Sequence, residues 1–111
     1  VATTVALDIA PGLVPDVETN IIGPVPANHE FDIPVLRFVN NDSLSSIQLT
    51  IWNKTSVAAG TDADVETKLS IQPQSTYEHG PMVLPAGRVI SVKASTLGVI
   101  SERPHGWDIG P

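Results

Sequence analysis

The stretch IQLTIW, residues 47–52, decides the fold class. Ile47, Leu49 and Ile51 alternate with Gln48, Thr50 and Trp52, so three apolar side chains fall on one face of an extended strand. On a helix the same residues would scatter around the axis. The pattern continues in both directions. Before it lies the turn-forming run Asn40-Asn41-Asp42-Ser43, and before that an apolar segment, Phe31 to Asn40. Strict alternation there puts Phe31, Ile33, Val35 and Val39 on one face and Leu36 and Phe38 on the other, with Arg37 interrupting the first face near its end. Pro34 lacks an N–H, which calls for one-sided pairing or a bulge at that point. The two strands read together as a β-hairpin. After it, NKTSVAAGTDADV (53–65) is a polar, exposed loop. Strands follow at Glu66–Gln72, with Leu69 and Ile71 inward, and at Thr76–His79. In the strand at Val89–Ala94, Ile90, Val92 and Ala94 face opposite to Val89, Ser91 and Lys93. Shorter strands are expected at Thr3–Ile9, Glu18–Ile22 and Val99–Glu102.

Two similar phrases punctuate this series, IGPVPAN (22–28) and HGPMVLPAG (79–87). Each carries Gly-Pro, then Pro-Ala, then a residue that tolerates a left-handed backbone. Leu84-Pro85-Ala86-Gly87 has Pro second and Gly fourth, the arrangement of a type I turn. The end, RPHGWDIGP (103–111), holds two prolines and two glycines and reads as an irregular tail. No segment has helical periodicity. Short strands with Val, Ile and Thr, broken by Pro and Gly every 8 to 12 residues or so, indicate an all-β antiparallel sandwich or barrel. The expected layout is one domain: an arm or edge strand at 1–17, a core at 18–102 and the tail at 103–111.

With 111 residues the chain suits a single core. It has no cysteine, which excludes disulfides and thiolate metal sites and agrees with a reducing compartment. Twelve acidic residues oppose six scattered basic ones, so there is no basic face for nucleic acid. No apolar run is long enough for a membrane helix. VATTVALDIAPG has no basic region ahead of its apolar residues, unlike a secretory signal.

The residues that could carry chemistry do not assemble into a known pattern. His29, His79 and His105 lack zinc-site spacing and sit in turn-like contexts, which reads as polar loop histidines. Asp62, Asp64 and Glu66 alternate like the start of a calcium loop, but Thr67 and Pro73 stand where that loop needs Gly and Glu. They read as solvated acids. There is no Gly-X-Ser-X-Gly elbow and no phosphate-binding glycine loop. No enzyme, cofactor or metal is indicated. Aromatic anchors are the remaining signal. Trp107 and Ile109 in the tail, Trp52 opposite the Ile47/Leu49/Ile51 face, and Leu7 and Ile9 near the start are the candidate partner-binding residues.

The phrases VPANHEFDIPVLRFVNND and GPMVLPAGRVISVKASTLGVI, with the apolar strand and polar loop between them, resemble the capsid decoration (cement or staple) proteins of tailed bacteriophages. The resemblance covers roughly residues 20–102, and the length and ends are further similar to the staple proteins of epsilon-type podophages that infect Salmonella. It implies a jelly-roll-like β-sandwich without catalytic residues, bound to the outside of an icosahedral virion. Its partner would be the major capsid protein, with two-fold related copies forming a homodimer, and it would hold neighbouring subunits against the pressure of packaged DNA. The competing expectation is a carbohydrate-binding or adhesion module of a phage fibre. A cupin-type metal enzyme is a more distant one.

Overall fold

The alternation at 47–52 does produce a strand, and the same period builds two sheets. The computed structural model describes residues 2–7, 12–96, 98 and 100–111. In chain order the strands are β1 (Thr3–Ala6), β2 (Gly12–Leu13), β3 (Thr19–Ile22), β4 (Glu30–Asn40), β5 (Ile47–Lys54), β6 (Val65–Ile71), β7 (Thr76–His79), β8 (Met82–Pro85), β9 (Val89–Ala94) and β10 (Ile100–Gly110). A single 3-10 turn, Asp62–Asp64, precedes β6. One sheet runs β1-β10-β4-β7, with β2 also on β10 and β8 also on β4; the other runs β3-β9-β5-β6. All pairings are antiparallel.

Two pairs of short strands act as single units. β7 and β8 meet β4 in one continuous register, Leu36↔His79 and Ile33↔Met82, interrupted only by Gly80-Pro81. β1 and β2 both line the outer side of β10. Counted this way there are eight strands, ordered first-eighth-third-sixth in one sheet and second-seventh-fourth-fifth in the other. That is the double-sheet jelly roll. Between the sheets lie Val14, Ile33, Leu36, Phe38, Leu49, Ile51, Leu84, Ile90, Val92 and Ile100, all buried. A side chain of this kind contributes about 1.5–3 kcal/mol when fully buried.

Four expectations need correction. The segment 103–111 is not irregular, because all but its last residue continues β10, paired with β4 from Arg103↔Arg37 to Ile109↔Glu30. The strand-breaking residues sit where the sheet can use them. Pro104 falls between the stretches that pair with β2 and with β1. Gly106 stands opposite two residues of β4, Ile33 and Pro34, where a Cβ would lie 2.5 Å from the Asp32 carbonyl oxygen.

This bulge also corrects the faces of β4. Phe31 and Ile33 point inward, then the extra residue shifts the phase, and Leu36, Phe38 and Asn40 are the inward set beyond it. Gly80 on the other neighbour crosses the same line, close against the Pro34 carbonyl. The sheet therefore bends along Gly106, Pro34 and Gly80.

β4 and β5 do not form a hairpin. The run Asn40–Ser46 is an arch that carries the chain from one sheet to the other. Asn40, fully buried, is its hub: Nδ2 donates toward the carbonyls of Ser45 (2.9 Å), Ile71 (3.0 Å) and Gln72 (3.2 Å), and Oδ1 accepts from Asp42 N. Asp42 in turn accepts from the N–H groups of Leu44 and Ser45, which hold its carboxyl below the usual carboxylate range.

The two prolyl turns share one geometry, and it is not type I. Pro26 and Pro85 are the first residues, accepting from His29 N and Arg88 N, while Asn28 (φ 64°) and Gly87 (φ 87°) take the left-handed third position. The turns are bonded to each other, Val25 N to Arg88 O at 3.1 Å and Gly87 N to Val25 O at 2.9 Å. The repeated phrase thus builds one corner of the sandwich twice over.

Candidate functional site

Two solvent-facing areas are assembled from several strands each. The first lies on the outer face of the β1-β10-β4-β8 region. Register places Ala6, Trp107, Asp32 and Val83 in one row and Thr4, Ile109, Glu30 and Pro85 in the next. Trp107 is 43% exposed and Val83 60%. The indole also meets the His105 ring edge-on, with centroids 6.5 Å apart. Between the apolar groups, the neighbouring Asp32 carboxylate first, and desolvation second, push the Glu30 carboxyl above its ordinary range. The patch is therefore apolar with an acidic seam.

This patch borders an open edge. β1 is exposed on both faces. Leu7 N donates to Gly106 O, and alternation then turns the N–H and C=O of Ala6 and Thr4 away from β10. Such an edge can accept a further strand. On the opposite face of β10, His29 Nδ1 meets Asp108 Oδ1 at 2.7 Å and packs against Gly110.

The second area lies on the outer face of the other sheet, a groove of about 420 Å³. Its floor includes Gln48, Thr50 and Trp52 of β5. Lys68 and Lys93 flank Thr50 in register on the neighbouring strands, and Asp16 and Asp62 contribute to its lining. The Trp52 ring is positioned by its surroundings. Gly60 lies so close to the indole that a Cβ there would overlap it. Gly60 N donates to the Glu18 carboxylate at 2.9 Å, and the same carboxylate accepts from Lys54 Nζ and Ser91 Oγ, each at 2.6 Å. Lys54, 3% exposed, also donates to Ala58 O. Burial opposes ionisation of Glu18, but the bonds from Lys54, Ser91 and Gly60 outweigh it and hold the carboxyl below its ordinary value. The loop 55–61 is thus tied to the sheet at both Ala58 and Gly60.

Of the candidate partner-binding residues, the fold brings Trp107 and Ile109 together on the first patch. Trp52 is on the opposite sheet, partly covered by Gly60. Leu7 packs against the core instead of facing outward, and Ile9 lies outside the described residues. The histidines are not loop residues as a set. His79 in β7 bridges Tyr77 Oη and, across the sandwich edge, Glu66 Oε2, both at 2.7 Å, and His105 is in β10. Glu66 is the extra residue of a bulge in β6, which aims it at His79. The three alternating acids diverge: Asp64 accepts from Thr61 N and Oγ1, Glu66 meets His79, and Asp62 lines the groove. Among the described residues no three His, Asp or Glu side chains converge as metal ligands do.

The sequence reading missed Lys68, Lys93 and Thr50 as a set, and the Glu18–Lys54 pair. The outward alternation of β5 was a signal for Thr50, but its alignment with Lys68 and Lys93 depends on strand order. Comparison with protein-family models, with curated proteins and with solved structures gave no match.

Proposed function

We propose that this chain is a structural protein of a bacteriophage virion that binds the exterior of the capsid and staples neighbouring capsid subunits. The observation that carries the reading is the outer patch of Trp107, Ile109, Val83 and Ala6, placed beside an open β1 edge. Aromatic anchors flanked by unpaired strand backbone suit attachment to a large protein surface. The resemblance in residues 20–102 supports it, as does the jelly roll, an architecture common in capsid proteins although also found in lectins and cupins. In this reading the protein acts by mass action, since a ligand that binds only the assembled shell stabilises it at each occupied site. Two-fold related copies on the shell would form an isologous homodimer.

The test is add-back of purified protein to capsids that lack it. Val83→Asp places a charge in the patch, and Ala6→Pro removes an outward N–H while leaving the β10-facing bonds of β1 intact. Both variants should stay folded and lose particle occupancy, and capsids without the protein should rupture at a lower temperature than decorated ones. Full occupancy by both variants, or equal heat survival with and without the protein, would refute the staple reading.

A further inference from the structure

We infer that the groove over Thr50 is a binding site for an acidic oligosaccharide, with hexuronate-type sugars as the ligand class. This activity is separate from capsid attachment, because the groove lies on the opposite sheet from the Trp107 patch. Three features converge there.

The first is a pre-positioned aromatic wall. Gly60, held by the Glu18 carboxylate, covers Trp52, and the buried Lys54 and Ser91 hold that carboxylate. A fixed indole bordering a polar groove is a stacking surface for the C–H face of a pyranose, and little side-chain freedom remains to be lost on binding.

The second is the pair of ammonium groups. Lys68 and Lys93 stand on either side of Thr50, two strand spacings or about 10 Å apart at the backbone. Neither joins an ion pair among the described residues, whereas Arg37 and Lys54 do. Two unpaired cations on one row of a chain with net charge −6 form a local site for carboxylates.

The third is the polar lining. Gln48 and Thr50 can bond sugar hydroxyls, and the carboxylates of Asp16 and Asp62 are acceptors for hydroxyl donors. Those two aspartates also discriminate. They would repel a densely charged anion such as an oligophosphate, but they suit a ligand rich in hydroxyls that carries about one charge per ring. A volume of about 420 Å³ falls within the roughly 300–1,000 Å³ of small-ligand sites.

The experiment titrates the full chain, carrying Trp107→Phe so that indole fluorescence reports Trp52 alone, with trigalacturonate and with its methyl ester. An acidic peptide of the same charge and inorganic phosphate serve as controls. The expected result is saturable binding of trigalacturonate, weakened about tenfold or more by Lys68→Gln with Lys93→Gln and by replacement with the ester. Read by isothermal titration calorimetry, which needs no indole signal, Trp52→Ala, checked for a cooperative thermal transition, should abolish binding. Trp52→Phe should retain part of it. Binding unchanged by the double lysine substitution overturns the inference. So does no binding up to about 10 mM, or equal binding of the peptide or phosphate, which would make this a general anion site.

Discussion

The two sheets treat carboxylates shielded from water in opposite ways. Glu18 accepts from a lysine, a serine and a backbone N–H, and its carboxyl is held below its ordinary value of 4.5. Glu102, 8% exposed on the inward side of β10 opposite Phe38, has an Oε2 without a partner among the described residues, and burial pushes its carboxyl up. Around Glu18 the loop, the indole and the sheet form a closed hydrogen-bonded unit. Beyond Glu102 the same strand turns its outer face to solvent at the Trp107 patch, beside β1, which is exposed on both faces. The first region is built to hold one geometry, and the second leaves groups available for association.

Breaking the first region should have the largest effect. Lys54→Met leaves the Glu18 carboxylate, 17% exposed, without its cation; removing one partner of a fully buried pair costs about 3–5 kcal/mol, and this part-buried pair should lose about 2–3 kcal/mol. Denaturant unfolding should show that loss at neutral pH, and Trp52 emission should shift to the red as the 55–61 loop is released. The sign with pH follows from the lowered carboxyl. Its stabilisation is present above about pH 4.5 and is lost as pH falls through the depressed folded-state value. The difference between wild type and variant should therefore shrink in acid. A constant difference from pH 7 to pH 3 would break the assignment of the loss to this pair.

Gly60→Val tests the same region from the other side. Its side chain must push the indole away from the loop, an overpacking that costs about 1–3 kcal/mol. The same change should weaken any ligand affinity of the groove more than it weakens the Trp107 patch. Retained stability with an unshifted Trp52 spectrum would mean that the loop does not set the ring.

Glu102→Gln should act in the opposite direction. Replacing an ill-partnered buried carboxylate with a neutral amide should stabilise the protein by about 1 kcal/mol at pH 7. A raised folded-state value means that the penalty is absent below about pH 4.5 and grows as pH rises toward that value. The gain should then appear on going from pH 4 to pH 7, the reverse of the trend for Lys54. Destabilisation at pH 7 would show that the carboxylate has a partner there.

What the sequence made legible follows from these particulars. The period of two at 47–52 and 89–94 was sufficient for the all-β sandwich, because each face there is read from neighbours on one strand. It failed in β4, where one bulge residue inverts the inward set from Val35 onward, and no local pattern reports a partner strand that holds a glycine at position 106. It fails again at 103–111, where Pro and Gly read as breakers although β4 and β1 stabilise that strand from both sides. The arch at Asn40 reads locally as a hairpin turn, because turn chemistry does not say whether the next strand joins the same sheet. Trp107 and Ile109 are legible as candidate anchors, but their shared face rests on alternation inside a strand that the sequence does not reveal. The groove depends on β6 and β9 both flanking β5, so Lys68 and Lys93 become neighbours only through the fold.

The smallest effect on stability, and the sharpest contrast with Lys54, belongs to Trp107→Ala. The indole is 43% exposed on the outer face of its sheet, where its strand neighbours are Ala6 and Asp32. Truncation should therefore cost about 1 kcal/mol or less, below the 3–5 kcal/mol typical of a buried tryptophan. If the proposed attachment holds, the same substitution should matter most on capsids, since an aromatic anchor at an interface centre commonly accounts for about 2 kcal/mol or more of binding, over tenfold in affinity. Thermal unfolding of the free chain and occupancy on particles, measured with the same preparation, separate the two quantities. A stable variant that fails to decorate capsids sharpens the division between a region built for shape and one built for contact. A variant that decorates normally would remove Trp107 from the interface and leave the β1 edge as the attachment surface to test.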